Sequence, residues 1–169
     1  MRRILPVLAA LIGFSGVFVG AGAAAADTPD RRVTRAAQEC GGWRSLYSEG
    51  RWTYSETRLC LRTDGQYVAP VLQWRECQYY WGAAWYYAND KYPCRLDLDF
   101  AVSRNGHTIA SGIADDQGGK EGEVIGKAGF CHGGGDYTLT ADFVQDGPYW
   151  YNWEIHSGQK VFDFILPCQ

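Results

Sequence analysis

Six cysteines, Cys40, Cys60, Cys77, Cys94, Cys131 and Cys168, constrain this chain more than any other feature. An even count in a short exported chain implies a disulfide framework around a small core. Export is expected from the first residues. Met1-Arg2-Arg3 precedes an apolar run from Ile4 to Val19, and Ala23 to Ala26 close the segment before Asp27. A basic head, a short apolar stretch and small residues at the end describe a secretory signal peptide over residues 1–26. Six cysteines admit about fifteen pairings, and spacing does not choose among them. The simplest is sequential: 40–60, 77–94 and 131–168. Zinc is the rival use of cysteine. No C-x-x-C pair occurs, and the adjacent Cys131-His132 cannot easily share one tetrahedral ion, so no metal site is expected.

Removal of the first 26 residues leaves 143 of the 169, enough for one domain. Those 143 residues hold 14 basic and 19 acidic side chains. The net negative charge argues against a nucleic-acid partner. The charge is also uneven, because no arginine follows Arg104. After the signal segment, residues 27–39 are polar and basic with little to bury. A flexible N-terminal arm is expected there, followed by a folded domain over 40–169.

From Cys40 onward the period is that of strands. Leu96, Leu98, Phe100 and Val102 alternate with Arg95, Asp97, Asp99 and Ala101. Tyr137, Leu139, Ala141 and Phe143 alternate in the same way, as do Tyr151, Trp153 and Ile155. Asp64-Gly65 and Asn105-Gly106 are hairpin turn signals. Pro70 implies that its strand lies at an edge or carries a bulge. Residues 114–123, rich in glycine and acid, read as a loop with weak capacity for calcium. Seven to nine short strands with no helical period give an all-β, antiparallel β-sandwich stapled by disulfides.

Gly134-Gly135-Asp136-Tyr137-Thr138-Leu139 resembles the tyrosine-corner region of immunoglobulin-like sandwiches. The resemblance implies an immunoglobulin-like fold in which the Tyr137 hydroxyl bonds back to the preceding loop. Leu139 stands where that family usually has a cysteine.

Between Cys77 and Cys94, seven of eighteen residues are aromatic. A hairpin with a Gly82-Ala83-Ala84 loop would pair Trp81 with Trp85, Tyr80 with Tyr86 and Tyr79 with Tyr87. Tyr79, Trp81, Trp85 and Tyr87 would then share one face, and Tyr80 and Tyr86 the other. Only one face can enter the core, so the remaining rings form a binding surface. Core packing of all of them is the competing expectation, and Trp43, Trp52, Trp74, Trp150 and Trp153 are also candidates for the core.

No G-x-S-x-G and no cysteine suited to catalysis occurs. His132, with Asp136 nearby, is the best of three histidines for chemistry, and Asp97, Asp99, Asp142 and Glu154 could supply carboxylate pairs. The sequence therefore points to a secreted, non-catalytic binding module without a cofactor. Its contact residues are Tyr79, Tyr80, Trp81, Trp85, Tyr86 and Tyr87. With one domain and a basic arm, its layout is similar to the small adaptor proteins of bacterial secreted toxin particles. That resemblance implies an extracellular protein partner in a secreted assembly. A glycan partner and a small secreted hydrolase are the alternatives. No membrane association is expected after signal cleavage.

Overall fold

Alternating burial drives the architecture of residues 37–147 and 154–168, which the computed structural model describes. The expected signal peptide, residues 27–36 of the expected arm, Trp150, Trp153 and most of the strand expected around 151–155 lie outside the described residues. In chain order the strands are β1 (Ala37–Cys40), β2 (Arg44–Tyr47), β3 (Thr53–Thr63), β4 (Tyr67–Trp81), β5 (Ala84–Tyr87) and β6 (Cys94–Arg104). They continue with β7 (His107–Gly118), β8 (Gly122–Ile125), β9 (Gly129–Phe130), β10 (Gly135–Asp146), β11 (Ile155–His156) and β12 (Lys160–Leu166). Twelve strands among the described residues exceed the seven to nine expected, because short pieces such as β2, β9 and β11 carry too few alternations to be read locally. A 3-10 turn at Glu49–Arg51 joins β2 to β3.

The strands form two antiparallel sheets. In the first, β3 and β4 are central; β1 and β2 flank β3, while β5, β8 and β9 flank β4. In the second, β10 and β6 are central, with β11 and β12 beside β10 and β7 beside β6. One buried cluster draws on both layers. Leu59, Leu61, Val68, Leu72 and Trp74 come from the first sheet, and Leu96, Leu98, Phe100, Val102, Tyr137 and Leu139 from the second. Each such side chain contributes about 1.5–3 kcal/mol by leaving water. No helix among the described residues is long and apolar enough to cross a membrane.

Turn chemistry fixes the hairpins. Asn105 and Gly106 both have positive φ, 51° and 77°, as the expected β6–β7 turn requires. At the β3–β4 turn, Asp64 Oδ1 accepts hydrogen bonds from the amides of Gln66 and Tyr67, and these hold its carboxyl below the ordinary carboxylate range. The strand of Pro70 is central and carries a bulge, as one of the two expectations had it, and Pro70 itself lies away from that bulge. Its carbonyl accepts from Gly126 N–H on the side where β9 gives way to β8, so its missing donor falls in that break. The bulge of β4 lies at Glu76, φ 54°, where the register with β3 shifts between Tyr54 and Glu56.

The cysteines pair sequentially. Cys40 and Cys60 face each other across β1 and β3. Cys77–Cys94 ties β4 to β6, with a Cα separation of 6.7 Å, and so crosses from sheet to sheet. The Asn89–Tyr92 turn makes this reachable: Asn89 Oδ1 accepts from the amides of Lys91 and Tyr92 and folds the chain back. Cys131–Cys168 joins the segment after β9 to the segment after β12, again across the layers.

Three expectations need correction. Ala37 to Glu39 belong to β1, paired with Leu61, Arg62 and Thr63, rather than to the arm. Most of 114–123 is strand: β7 continues through Gly118 opposite Cys94, and Gly122 begins β8. Glycine is needed there for close packing, since a Cβ on Gly122 would lie 2.1 Å from the Trp74 ring. The third concerns topology. Tyr137 is fully buried and its hydroxyl donates to Gly133 O at 2.7 Å, the bond a tyrosine corner requires. The first sheet nevertheless has a sequential hairpin, β3–β4, at its centre, whereas the immunoglobulin order A-B-E-D pairs non-consecutive strands there.

Candidate binding surface

The aromatic hairpin forms, but one residue out of the expected register. Trp81 faces Ala84, Tyr80 faces Trp85, Tyr79 faces Tyr86 and Gln78 faces Tyr87. The cause is the turn. Gly82 has φ 66° and Ala83 does not have positive φ, so two residues close the hairpin, with glycine at the first position. Two-residue turns of this kind match the right-handed strand twist, and a three-residue loop is not needed. A slip of one residue moves side chains to the opposite face. Tyr80, Trp85 and Tyr87 therefore share the outer face of the first sheet, while Tyr79, Trp81 and Tyr86 take the other.

Burial follows this division. Tyr79 is buried, stacked on Tyr86 with ring centroids 5.8 Å apart and edge-on to Tyr92 at 6.4 Å. Tyr80 is half-buried. Trp81, Trp85, Tyr86 and Tyr87 are 56%, 41%, 47% and 47% exposed. Trp85 and Tyr87 expose their rings on the outer face and Trp81 and Tyr86 on the other, so the hairpin presents aromatic surface on both of its sides.

Other strands extend the patch. Tyr80 lies 5.5 Å from Trp85 and 5.7 Å from Trp52, centroid to centroid, and Tyr47 lies 4.8 Å from Tyr54. Beside these rings, the Trp43 ring takes the Arg58 guanidinium at 4.5 Å and that of Arg75 at 4.3 Å. Trp43, Tyr47, Trp52 and Tyr54 were not legible as contact residues. They come from β2, the first half of β3 and the residues just before each strand, and the inward residues of that part of β3 are Thr53, Ser55 and Thr57 instead of aliphatic side chains. A polar interior hides the period of two. A local signal did exist: Tyr47 and Tyr54 flank a short Gly-containing connection. Trp74, by contrast, is core, with its indole N–H donating to Gly119 O at 3.3 Å.

Charged groups on this face are paired across strands. Glu56 accepts from Arg75 Nε and from the Tyr54 hydroxyl, which together hold its carboxyl below the usual range. Arg62 grips Glu123 with two bonds, of 3.2 and 2.8 Å, and Gln73 donates to the same carboxylate at 3.0 Å. Glu76, on the bulge, bonds Lys120 at 2.8 Å and also the Tyr87 hydroxyl. Lys120 lies 4.5 Å from the Tyr87 ring. This trio anchors the end of β5 to the turn before β8.

The candidates for chemistry fall elsewhere. Asp97 and Asp99 point outward on β6, as their alternation predicts, and Asp142 lies directly opposite Asp99 on β10. His132 packs edge-on against Phe130 at 5.6 Å. His156 pairs with Glu154 at 3.0 Å. Asp115 and Asp116 lie exposed on β7. Comparison with known protein families, with curated proteins and with solved structures finds no match for this chain.

Proposed function

We propose that this chain is a secreted, non-catalytic binding protein whose contact surface is the aromatic end of the first sheet. The observation that carries the reading is the exposure of Trp81, Trp85, Tyr86 and Tyr87 on a hairpin whose base is fixed by the Cys77–Cys94 bridge. Three disulfides suit an oxidising, extracellular setting. Rigid rings with few rotatable bonds bring large contact area at low entropy cost, which is why such residues dominate protein interfaces. The partner is an extracellular protein, and the chain acts as an adaptor in a secreted assembly. The test is recovery of the tagged native protein from culture medium. A stoichiometric protein partner is expected, lost at least tenfold in Trp85→Ala and Trp81→Ala while the fold is kept. Equal recovery with the variants would sink the reading.

A glycan is the second reading, favoured by one observation. The rings of Trp85, Tyr80 and Trp43 share a sheet face with the planar polar groups of Gln73, Arg75 and Glu56, a mixture that suits stacking and hydrogen bonding to sugars. Binding of the purified protein to a glycan array, with no protein partner recovered, would replace the first reading by this one.

A further inference from the structure

The edge strand β7 carries an inference that does not depend on the aromatic surface. It ends the second sheet, and among the described residues no strand pairs with its other edge. The register with β6 breaks between Val102 and Ser103, leaving Ile109 as an extra residue on β7. From Ala110 to Gln117 the ladder is regular.

The direction of the backbone groups follows from the neighbouring ladder. Phe143 N–H donates to Ser157 Oγ, on the side of β10 away from β6. Asp142 therefore turns its backbone toward β6 and exchanges bonds with Asp99, its register partner. Asp99 then has none for β7. Ile113, opposite Asp99, directs its N–H and C=O out of the sheet, as do Ser111 and Asp115. At Gln117, the next position in this series, the N–H is capped by Asp116 Oδ1 at 2.7 Å. The open edge thus runs from Ala110 to Asp116, and its midpoint is Ile113, which is 77% exposed.

Sheet proteins guard such edges with charged side chains, proline, bulges, a covering element or extreme shortness, and on β7 the bulge at Ile109 lies before the regular stretch. Ala110 to Asp116 contains no lysine, arginine or proline. Its charges, Asp115 and Asp116, sit together at one end. We propose that this edge pairs with the same edge of a second copy, antiparallel, with the two-fold axis at Ile113. Closed two-fold pairs are the commonest protein assemblies. In this register Ile113 faces Ile113, Ser111 faces Asp115 and Ala110 faces Asp116, so the four acids of the pair never oppose one another. The side chains keep their faces, and the two exposed isoleucines cover each other. Registers shifted toward the acids would set like charges opposite.

Sedimentation velocity on the disulfide-intact exported protein, from micromolar to millimolar, tests this. A mass twice that of the chain is expected, with amide exchange at Ser111, Ile113 and Asp115 slowing as concentration rises. Ile113→Lys places two like charges on the axis and should halve the mass, while Ile113→Val should not. Ser111→Pro, which removes an outward donor and leaves the β6 ladder intact, should act like Ile113→Lys, with circular dichroism confirming the fold of both. A wild type that stays monomeric at every concentration overturns the proposal, as does a dimer that survives Ile113→Lys.

Discussion

The outer faces of the two sheets solve the same problem in opposite ways. On the first, nearly every charge has a cross-strand partner: Glu56 with Arg75, Arg62 with Glu123, Glu76 with Lys120. On the second, aspartates stand directly opposite each other, Asp97 against Asp115 and Asp99 against Asp142. Like charges in register oppose pairing. The second sheet must therefore be held from beneath, and its inward residues Leu96, Leu98, Phe100, Val102 and Leu139 are all buried aliphatic or aromatic side chains. Under the aromatic end of the first sheet the interior is polar instead. Ser55 Oγ donates to the buried Gln145 at 2.6 Å, and Gln145 reaches Cys77 Sγ at 3.1 Å. One sheet is organised on its surface, where we place the contact; the other is organised in its core.

The most severe way to break this comparison is to exchange the two kinds of residue. Leu98→Ala should cost about 2–5 kcal/mol in denaturant unfolding, because a close-packed site keeps a cavity. Trp85→Ala, on the surface, should cost about 1 kcal/mol or less. Equal losses would show that the exposed rings are structural.

Acid separates the faces next. Glu56 and Glu76 are held below the ordinary carboxylate range by Arg75 and Lys120, and Glu123 by Arg62. A depressed folded value means stability present above about pH 4.5 and lost as pH falls through the folded values. Asp146 on β10 is pushed the other way, first by burial and then by Glu154 and Asp97. Its contribution is complete below the unfolded value near 3.8 and is lost as pH rises through the raised folded value. Thermal unfolding across pH 2 to 7 should therefore show Glu56→Gln flattening the acid limb of the curve, and Asp146→Asn raising its neutral limb. Identical curves for both variants would remove the distinction.

The gentlest probe is Asp115→Asn. Relief of the pair with Asp97 should stabilise by roughly 0.2–1 kcal/mol at low salt and by nothing at high salt. Glu56→Gln should change stability in the opposite sense. Agreement in sign between them would show that the paired and opposed carboxylates do not differ in energy.

Much of the fold was legible locally. Leu96 to Val102 and Tyr137 to Phe143 announce their inward faces by themselves, and Asn105-Gly106 announces its own turn, because a period of two and a positive φ are properties of neighbouring residues. The site was legible only in part. Tyr79 and Tyr86 belong to the same stretch as Trp81 and Trp85, yet Tyr79 is buried and Tyr86 is not.

By itself, then, the sequence determined an all-β chain with antiparallel hairpins and a disulfide scaffold, since alternation, turn residues and cysteine number act at short range. The tertiary structure decided the rest: which cysteines meet, how Gly82-Ala83 sets the hairpin register, and which rings reach water. It also recruited Trp43, Tyr47, Trp52 and Tyr54 to the patch. The physical reason is that burial is a relation between two sheets. A ring on β4 is inside or outside only once β3, β6 and β10 have taken their places.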